Sequence, residues 1–212
     1  MASVTKKVPV PSLFPLFLKL AGRRCLVVGA GDVAEDKIAG LLDAAAIVRV
    51  VAPEATPQVQ SWAATGQLEW LARTCEPADL DGMFLVVAAT DSHELHENIH
   101  AEAHNRAVLC NVVDVPELCD FYYPAVAHRG ALQIAVSTSG QSPALAQRLR
   151  KELEEQFGPE YEAWLQQLGE ERAKLFAASM DPEERKRLLH DLASADAFKS
   201  FLRKHKSKRA KK

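Results

Sequence analysis

Three small residues in the stretch CLVVGAGDVAEDK (25–37) have the spacing of a phosphate cradle. Gly29, Gly31 and Ala34 form G-x-G-x-x-A between an apolar run and a helical pattern. The first glycine permits a tight turn, the second lets a pyrophosphate approach the backbone, and the third small residue lets helix and strand pack closely. The helix start then offers N–H groups and the positive end of its dipole to phosphate oxygens. The chemistry implied is dinucleotide binding. An acid about 20 residues further on would hold the adenosine ribose. That place reads VVAPE (50–54), with Glu54 two residues past Ala52 and no cation for a 2′-phosphate, which favours NAD over NADP.

A second set of side chains raises a different chemistry. His93, His96, His100 and His104 fall on one side of a single helical stretch, the last three at i, i+4 and i+8. Such a row can bind a divalent metal. Leu95, Ile99 and Ala103 define the buried face of the same stretch, so the histidines are expected to flank it as a solvated row, and no metal site is assigned. Cys25, Cys75, Cys110 and Cys119 form no C-x-x-C pair. Cys25 and Cys110 sit in strand-like runs and are expected as buried free thiols, which fits a reducing compartment.

These groups need a scaffold, and the apolar pattern supplies one. Strands are predicted at 24–29, 47–52, 67–72, 83–90 and 108–114, with helices at 33–44, from 56, and at 91–107, the last capped by Asp91. The rhythm predicts an α/β fold: a Rossmann-like parallel sheet covered by helices on both faces. Ligands of such sheets sit at the carboxyl ends of the strands, which here carry GAGD, VAPE, AATD and NVVD. After Asp114 the pattern changes. FYYPAVAH (121–128), RG, then ALQIAVSTS (131–139) reads as a β-hairpin. Ser142, Pro143 and Gly158 bracket a helix, and the chain stays helical from 159, restarting at DPEE (181–184). The expected division is 1–114 for the nucleotide domain, 115–150 for a hairpin segment, and 151–212 for a helical region.

The net charge of −2 sets up no global field for nucleic acid or membrane. Residues 203–212, RKHKSKRAKK, carry seven basic residues and no acid, and are expected as a disordered, solvated tail. The apolar patch LFPLFL (13–18) is too short to span a bilayer and contains Pro15. A cytoplasmic protein is expected.

Several segments together resemble one family. FPLFLKLAGRRCLVVGAGDVAEDK, VVAPE, FLVVAATD, NVVDVPELCDFYYPA and VSTSGQSPALAQRLRKELE, spanning roughly 13–158, resemble precorrin-2 dehydrogenase/sirohydrochlorin ferrochelatase, the N-terminal module of sirohaem synthases. The resemblance implies NAD-dependent oxidation of precorrin-2 to sirohydrochlorin. Many members also insert ferrous iron, and the residues leave that second activity open. It implies Asp114 as the catalytic carboxylate and nucleotide contacts at Asp32, Val33, Ala52 and Pro53, beside Gly29 and Gly31. By position, Ala89, Thr90, Asn111 and Val112 also line the cofactor. It implies a homodimer, with the segment after the sheet forming much of the interface.

A substrate with several carboxylates calls for hydroxyls, N–H groups and cations. Thr138, Ser139 and Ser142 in STSGQS, and His128 near the hairpin turn, are the candidates. The chain departs from the family at Asp36, where a basic residue is frequent, and at Ser139 and Gln141. Thr138 stands where some relatives carry a phosphorylated serine. A different class remains open: a module that senses NAD without catalysis. A sensor has no need of a base at Asp114.

Overall fold

The computed structural model describes residues 13–209, with side chains through His205. The first twelve residues and the last three of the basic tail lie outside the described residues. The chain divides into two compact units, one ending at Tyr123 and the other beginning at Pro124.

The first unit is a five-stranded parallel sheet of order β3-β2-β1-β4-β5. Its strands are β1 (Arg24–Val28), β2 (Ile47–Val51), β3 (Glu69–Leu71), β4 (Leu85–Ala88) and β5 (Leu109–Val112). Helices α1 (Asp32–Asp43), α2 (Pro57–Ala64) and α3 (His93–Asn105) make the crossovers after β1, β2 and β4. A short 3-10 turn, Pro77–Leu80, leads from β3 back to β4. The winding reverses direction at β1, so the carboxyl ends of β1 and β4 flank a switch point, where such sheets hold ligands.

Strand alternation explains the two layers. Cys25 and Val27 face one way and join Ile38 and Leu41 of α1, Val50 of β2 and Val59 of α2. Leu26 and Val28 face the other way and join Val86, Cys110, and Ile99 and Ala103 of α3. Residues 25–28 and all of β4 are buried, as expected of strands covered on both faces.

The return loop before β4 is braced by ions. The two terminal guanidinium nitrogens of Arg73, Nη1 and Nη2, donate to the carboxylate of Asp79 at 2.7 Å, and Glu76 N–H donates to the same group. Asp79 is 4 % exposed, so its carboxylate sits out of water while Arg73 reaches it from the partly exposed surface.

The expected boundary at Asp114 falls nine residues before the observed division, for a visible reason. Residues 119–121 fold back along the free edge of β5. Asp120 exchanges backbone and side-chain hydrogen bonds with Cys110. Asn111 Nδ2 donates to Phe121 O at 2.7 Å, and Cys119 Sγ to Val112 O. The segment after NVVD thus finishes the sheet.

The second unit opens with an antiparallel hairpin, β6 (Ala125–Arg129) and β7 (Leu132–Val136). Gly130, at φ +57°, occupies its two-residue turn. Helix α4 (Pro143–Gln156) packs on the hairpin and is capped by Ser142. Arg129 closes the other end of that helix by donating to the carbonyls of Glu154 and Phe157, each at 2.7 Å. Helices α5 (Glu160–Ala177), α6 (Pro182–Leu192) and α7 (Ala195–Arg209) follow. Tyr161 and Trp164 of α5 pack their rings on Phe198 of α7 at 4.5 and 4.6 Å. Helix α7 carries the basic run as far as Arg209, where a disordered tail was expected from 203. The aromatic contacts of its earlier turns anchor the helix, and Lys and Arg are good helix formers that extend it. Among the described residues no helix is long and apolar enough to cross a membrane.

Candidate active site

The turn between β1 and α1 is held from both sides by backbone. Gly29 N–H donates to Val51 O of β2, Ala89 N–H donates to Val28 O, and Thr56 N–H donates to Ala30 O. Gly29 has φ +103°, which L side chains rarely adopt. An added methyl there would stand 2.8 Å from the Ala89 carbonyl carbon and closer still to its oxygen. Gly31 is different. It is exposed, has φ −81°, and a methyl on it would meet nothing within 4 Å. It caps α1 without a side-chain hydrogen bond to the first turn. The one glycine is demanded by the protein's own packing. The other leaves open space over the amino end of a helix, which suits a phosphate group.

The predicted residues fall as follows. Asp32 and Val33 begin α1 and are exposed, Val33 by 55 %. Ala52 is buried beyond β2, with its carbonyl accepting from the Trp70 indole at 3.0 Å, and Pro53 is exposed. Ala89 and Thr90 follow β4 and are half-buried. Asp114 follows β5 with φ +63° and an exposed side chain, inside a turn closed by Val115 N–H to Val112 O. Val113 N–H donates to Ala88 O, so the ends of β4 and β5 are joined as well. The carboxyl ends of β2, β1, β4 and β5 thus stand side by side, with Asp114 at the last of them.

Two predicted residues face inward. The Asn111 amide is occupied by Phe121 O, and Val112 is wholly buried. Neither side chain is free to serve a ligand, and Val112 O already accepts from Val115 N–H and Cys119 Sγ. Thr138, Ser139, Ser142 and His128 belong to the second unit. Thr138 Oγ1 accepts from Ser142 N–H, and Ser142 Oγ accepts from Leu145 N–H. Ser139 and Gly140 both have positive φ, in a turn closed by Gln141 N–H to Thr138 O. His128 is exposed on β6, opposite Gln133.

The histidine row does not hold as expected. His96 is buried, 6 % exposed, and its Nε2 lies 3.0 Å from Thr90 Oγ1. The buried stripe of α3 is His96, Ile99 and Ala103, at i, i+3 and i+7. Leu95 sits at its margin. The α3 cap is Ser92, whose hydroxyl accepts from Leu95 N–H, in place of the predicted Asp91. Among the described residues no three His, Cys, Asp or Glu side chains gather as a metal site. Burial pushes the Cys25 thiol up to about 11 and that of Cys110 to about 12, so both stay protonated at neutral pH.

Sequence reasoning missed one brace. Thr56 caps α2 and donates to Glu35 Oε2 of α1 at 2.6 Å, tying the helix after the glycine turn to the helix after β2. A Thr-Pro helix start and a glutamate in the first turn of α1 were its signals. A cavity of about 410 Å³ lined by Arg24, Ile47, Arg49 and Gln67 lies at the amino ends of the strands, the wrong end for this site. Arg49 there is paired with Glu69 at 2.6 Å.

Known proteins show the same pattern. The family model described as NAD(P)-binding matches residues 16–125, and that of the central part of sirohaem biosynthesis proteins matches 129–156. The siroheme synthase of Methylobacillus flagellatus is 46 % identical over 140 residues, 66 % of this chain and 30 % of its own length. That of Thioalkalivibrio sulfidiphilus is 38 % identical over 189 residues, 89 % of this chain and 39 % of its own. The chain therefore spans only about a third of the curated relatives it matches. The solved structure of SirC, a precorrin-2 dehydrogenase, superposes with a TM-score of 0.72 at 27 % identity, covering 92 % of this chain and all of SirC. With the glycine turn, the strand order and both family segments in agreement, the chain belongs to the NAD(P)-binding sirohaem-biosynthesis family that includes the sirohaem synthases and SirC.

Proposed function

We propose that this chain is an NAD-dependent precorrin-2 dehydrogenase, oxidising precorrin-2 to sirohydrochlorin for sirohaem biosynthesis. The observation that carries the reading is Asp114. A carboxylate is held in left-handed backbone at the tip of β5, in a sheet whose first turn fits a dinucleotide. Residues kept in such backbone concentrate at functional sites. The likeness to SirC over nearly the whole chain supports it.

Gly29 and Gly31 let the backbone approach a pyrophosphate, and the first-turn N–H groups at Asp32 and Val33 hold it. Ala52 and Pro53 flank the adenosine. Glu54 accepts ribose hydroxyls and repels a 2′-phosphate, which selects NAD over NADP. Ala89, Thr90 and the backbone of Asn111 and Val112 continue the wall. Bound NAD⁺ supplies the hydride acceptor. Asp114 Oδ takes the proton that leaves as the macrocycle gives up hydride, so the substrate loses H⁻ and H⁺ in all. In the second unit, the hydroxyls of Thr138, Ser139 and Ser142, with His128, are assigned to substrate carboxylates. The enzyme acts as a homodimer through the hairpin segment, and its four free thiols suit the cytoplasm. Sedimentation should then give twice the 23.3 kDa chain mass.

The test is anaerobic. Protein, precorrin-2 and NAD⁺ are mixed, and NADH is followed with the sirohydrochlorin spectrum. Ferrous iron, as a second substrate, is then added to read iron insertion by the sirohaem bands. Asp114→Asn is the informative variant, because it removes the charge while keeping the shape, and asparagine adopts left-handed backbone more readily than alanine. NADH from wild type, and at least about a hundredfold less from Asp114→Asn, is the expected result. Folded wild type that binds NAD but forms no NADH would overturn the enzyme and favour an NAD-sensing module.

A further inference from the structure

His96 is the buried member of the histidine row, and nothing in the proposed reaction uses it. The residue is 6 % exposed, and its Nε2 shares a hydrogen bond of 3.0 Å with Thr90 Oγ1. Thr90 is the second residue past β4, beside the glycine turn. Its other branch, Cγ2, lies against that turn: a methyl added to Gly29 would come within 3.2 Å of it. One χ1 torsion places both branches of a threonine. Holding Oγ1 on α3 therefore dictates where Cγ2 stands. The hydroxyl faces the helix, and the methyl faces the crevice wall.

We propose that His96 is a positioning residue of the dinucleotide site: through Thr90 Oγ1 it fixes the rotamer that sets Thr90 Cγ2 against Gly29, and so tunes dinucleotide affinity without touching the ligand. The inference rests on the reading of the strand carboxyl ends as the NAD site. Without the bond, Thr90 is free to change rotamer and alter the wall beside Gly29. Preorganisation of that wall is lost, and binding must restore it.

The experiment titrates ligand-free protein with NADH, read by its fluorescence, alongside thermal unfolding of the same samples. His96→Leu should weaken NADH binding about fivefold, the size of one net hydrogen bond, and raise KM for NAD⁺ more than it lowers kcat. His96→Gln, whose side-chain amide can bond the hydroxyl, should recover binding to within about twofold of wild type. Thr90→Val keeps the branched shape without the hydroxyl. It should match His96→Leu, with the double variant no weaker than either single one, because both remove the same interaction. Wild-type affinity in folded His96→Leu overturns the inference. So does a loss that His96→Gln does not repair and that follows the drop in unfolding temperature, which marks a merely structural histidine. Wild type that binds no NADH overturns the site reading itself and the inference with it. That outcome differs from the others in needing no variant.

Discussion

At the scale of single residues, the two glycines of the first turn answer to different demands. An alanine at Gly29 combines a backbone conformation open to glycine with a methyl pressed on the Ala89 carbonyl. Gly29→Ala should lower the unfolding free energy by about 3 kcal/mol or more, measurable in urea without any ligand. At Gly31 the φ is ordinary and the space empty. Gly31→Ala should leave stability within about 0.5 kcal/mol of wild type, or raise it slightly by restricting the unfolded chain. It should nonetheless weaken NADH binding by tenfold or more, about the effect of displacing one close phosphate contact. The spacing assigns Gly29 to the turn and Gly31 to the approach of a pyrophosphate, but does not say how tightly the fold itself holds each. The separation came only with the path of Ala89, a neighbour 60 residues away that no local pattern announces. Asp114 is a similar case: its place at a strand tip was legible, but its left-handed backbone was not.

Elements were legible where local chemistry decides them. All five parallel strands, the hairpin, and the Ser142-Pro143 helix start lie where the apolar runs and caps put them. The start of α3 was misplaced by one residue because Asp91 and Ser92 are both good caps, and only the geometry of the chain leaving β4 chooses between them. Ser92→Ala should therefore destabilise by about 1 kcal/mol and Asp91→Ala by a few tenths at most, which a pair of denaturation curves would separate. His96 was misread for a related reason. A 3.6-residue period rotates a stripe away from strict i+4 spacing, so the face begun by Ile99 and Ala103 is completed by His96 and leaves Leu95 at its margin. A histidine is accepted there because Thr90 supplies its partner. The edge of β5 depends on Asp120 in the same non-local way. Asp120→Ala removes the acceptor for Cys110 N–H. It should speed amide exchange at Cys110 ahead of the central β1 and β4 amides.

For the whole molecule, charge inside the first unit sets an acid limit. Hydrogen bonds from Arg73, and then the Glu76 N–H, hold the Asp79 carboxyl below the usual carboxylate range despite its burial. A carboxyl depressed in the folded state stabilises fully above its unfolded value, about 3.9, and the contribution fades as pH falls through the lower folded value. Urea midpoints should therefore drop for wild type from about pH 4 downward, and Asp79→Asn should be less stable at neutral pH but flatter across that window. The first of the two expected boundaries, at Asp114, stands short of the division between the compact units at Tyr123. The change of pattern at Asp114 is real, but residues 119–121 are recruited to the sheet by bonds to β5 that composition cannot reveal.

The unequal footing of Gly29 and Gly31 also reads as a record of descent. Gly29 is demanded by the fold whatever the protein does, whereas Gly31 answers, on the proposed reading, only to a ligand bound over it. In copies of this sheet that have abandoned the dinucleotide, Gly29 should persist while Gly31 drifts to alanine or serine. A selection for folding alone, run beside a selection for dinucleotide binding, would show that split. Substitution tolerance at Gly31 would then distinguish a retired copy from a working one.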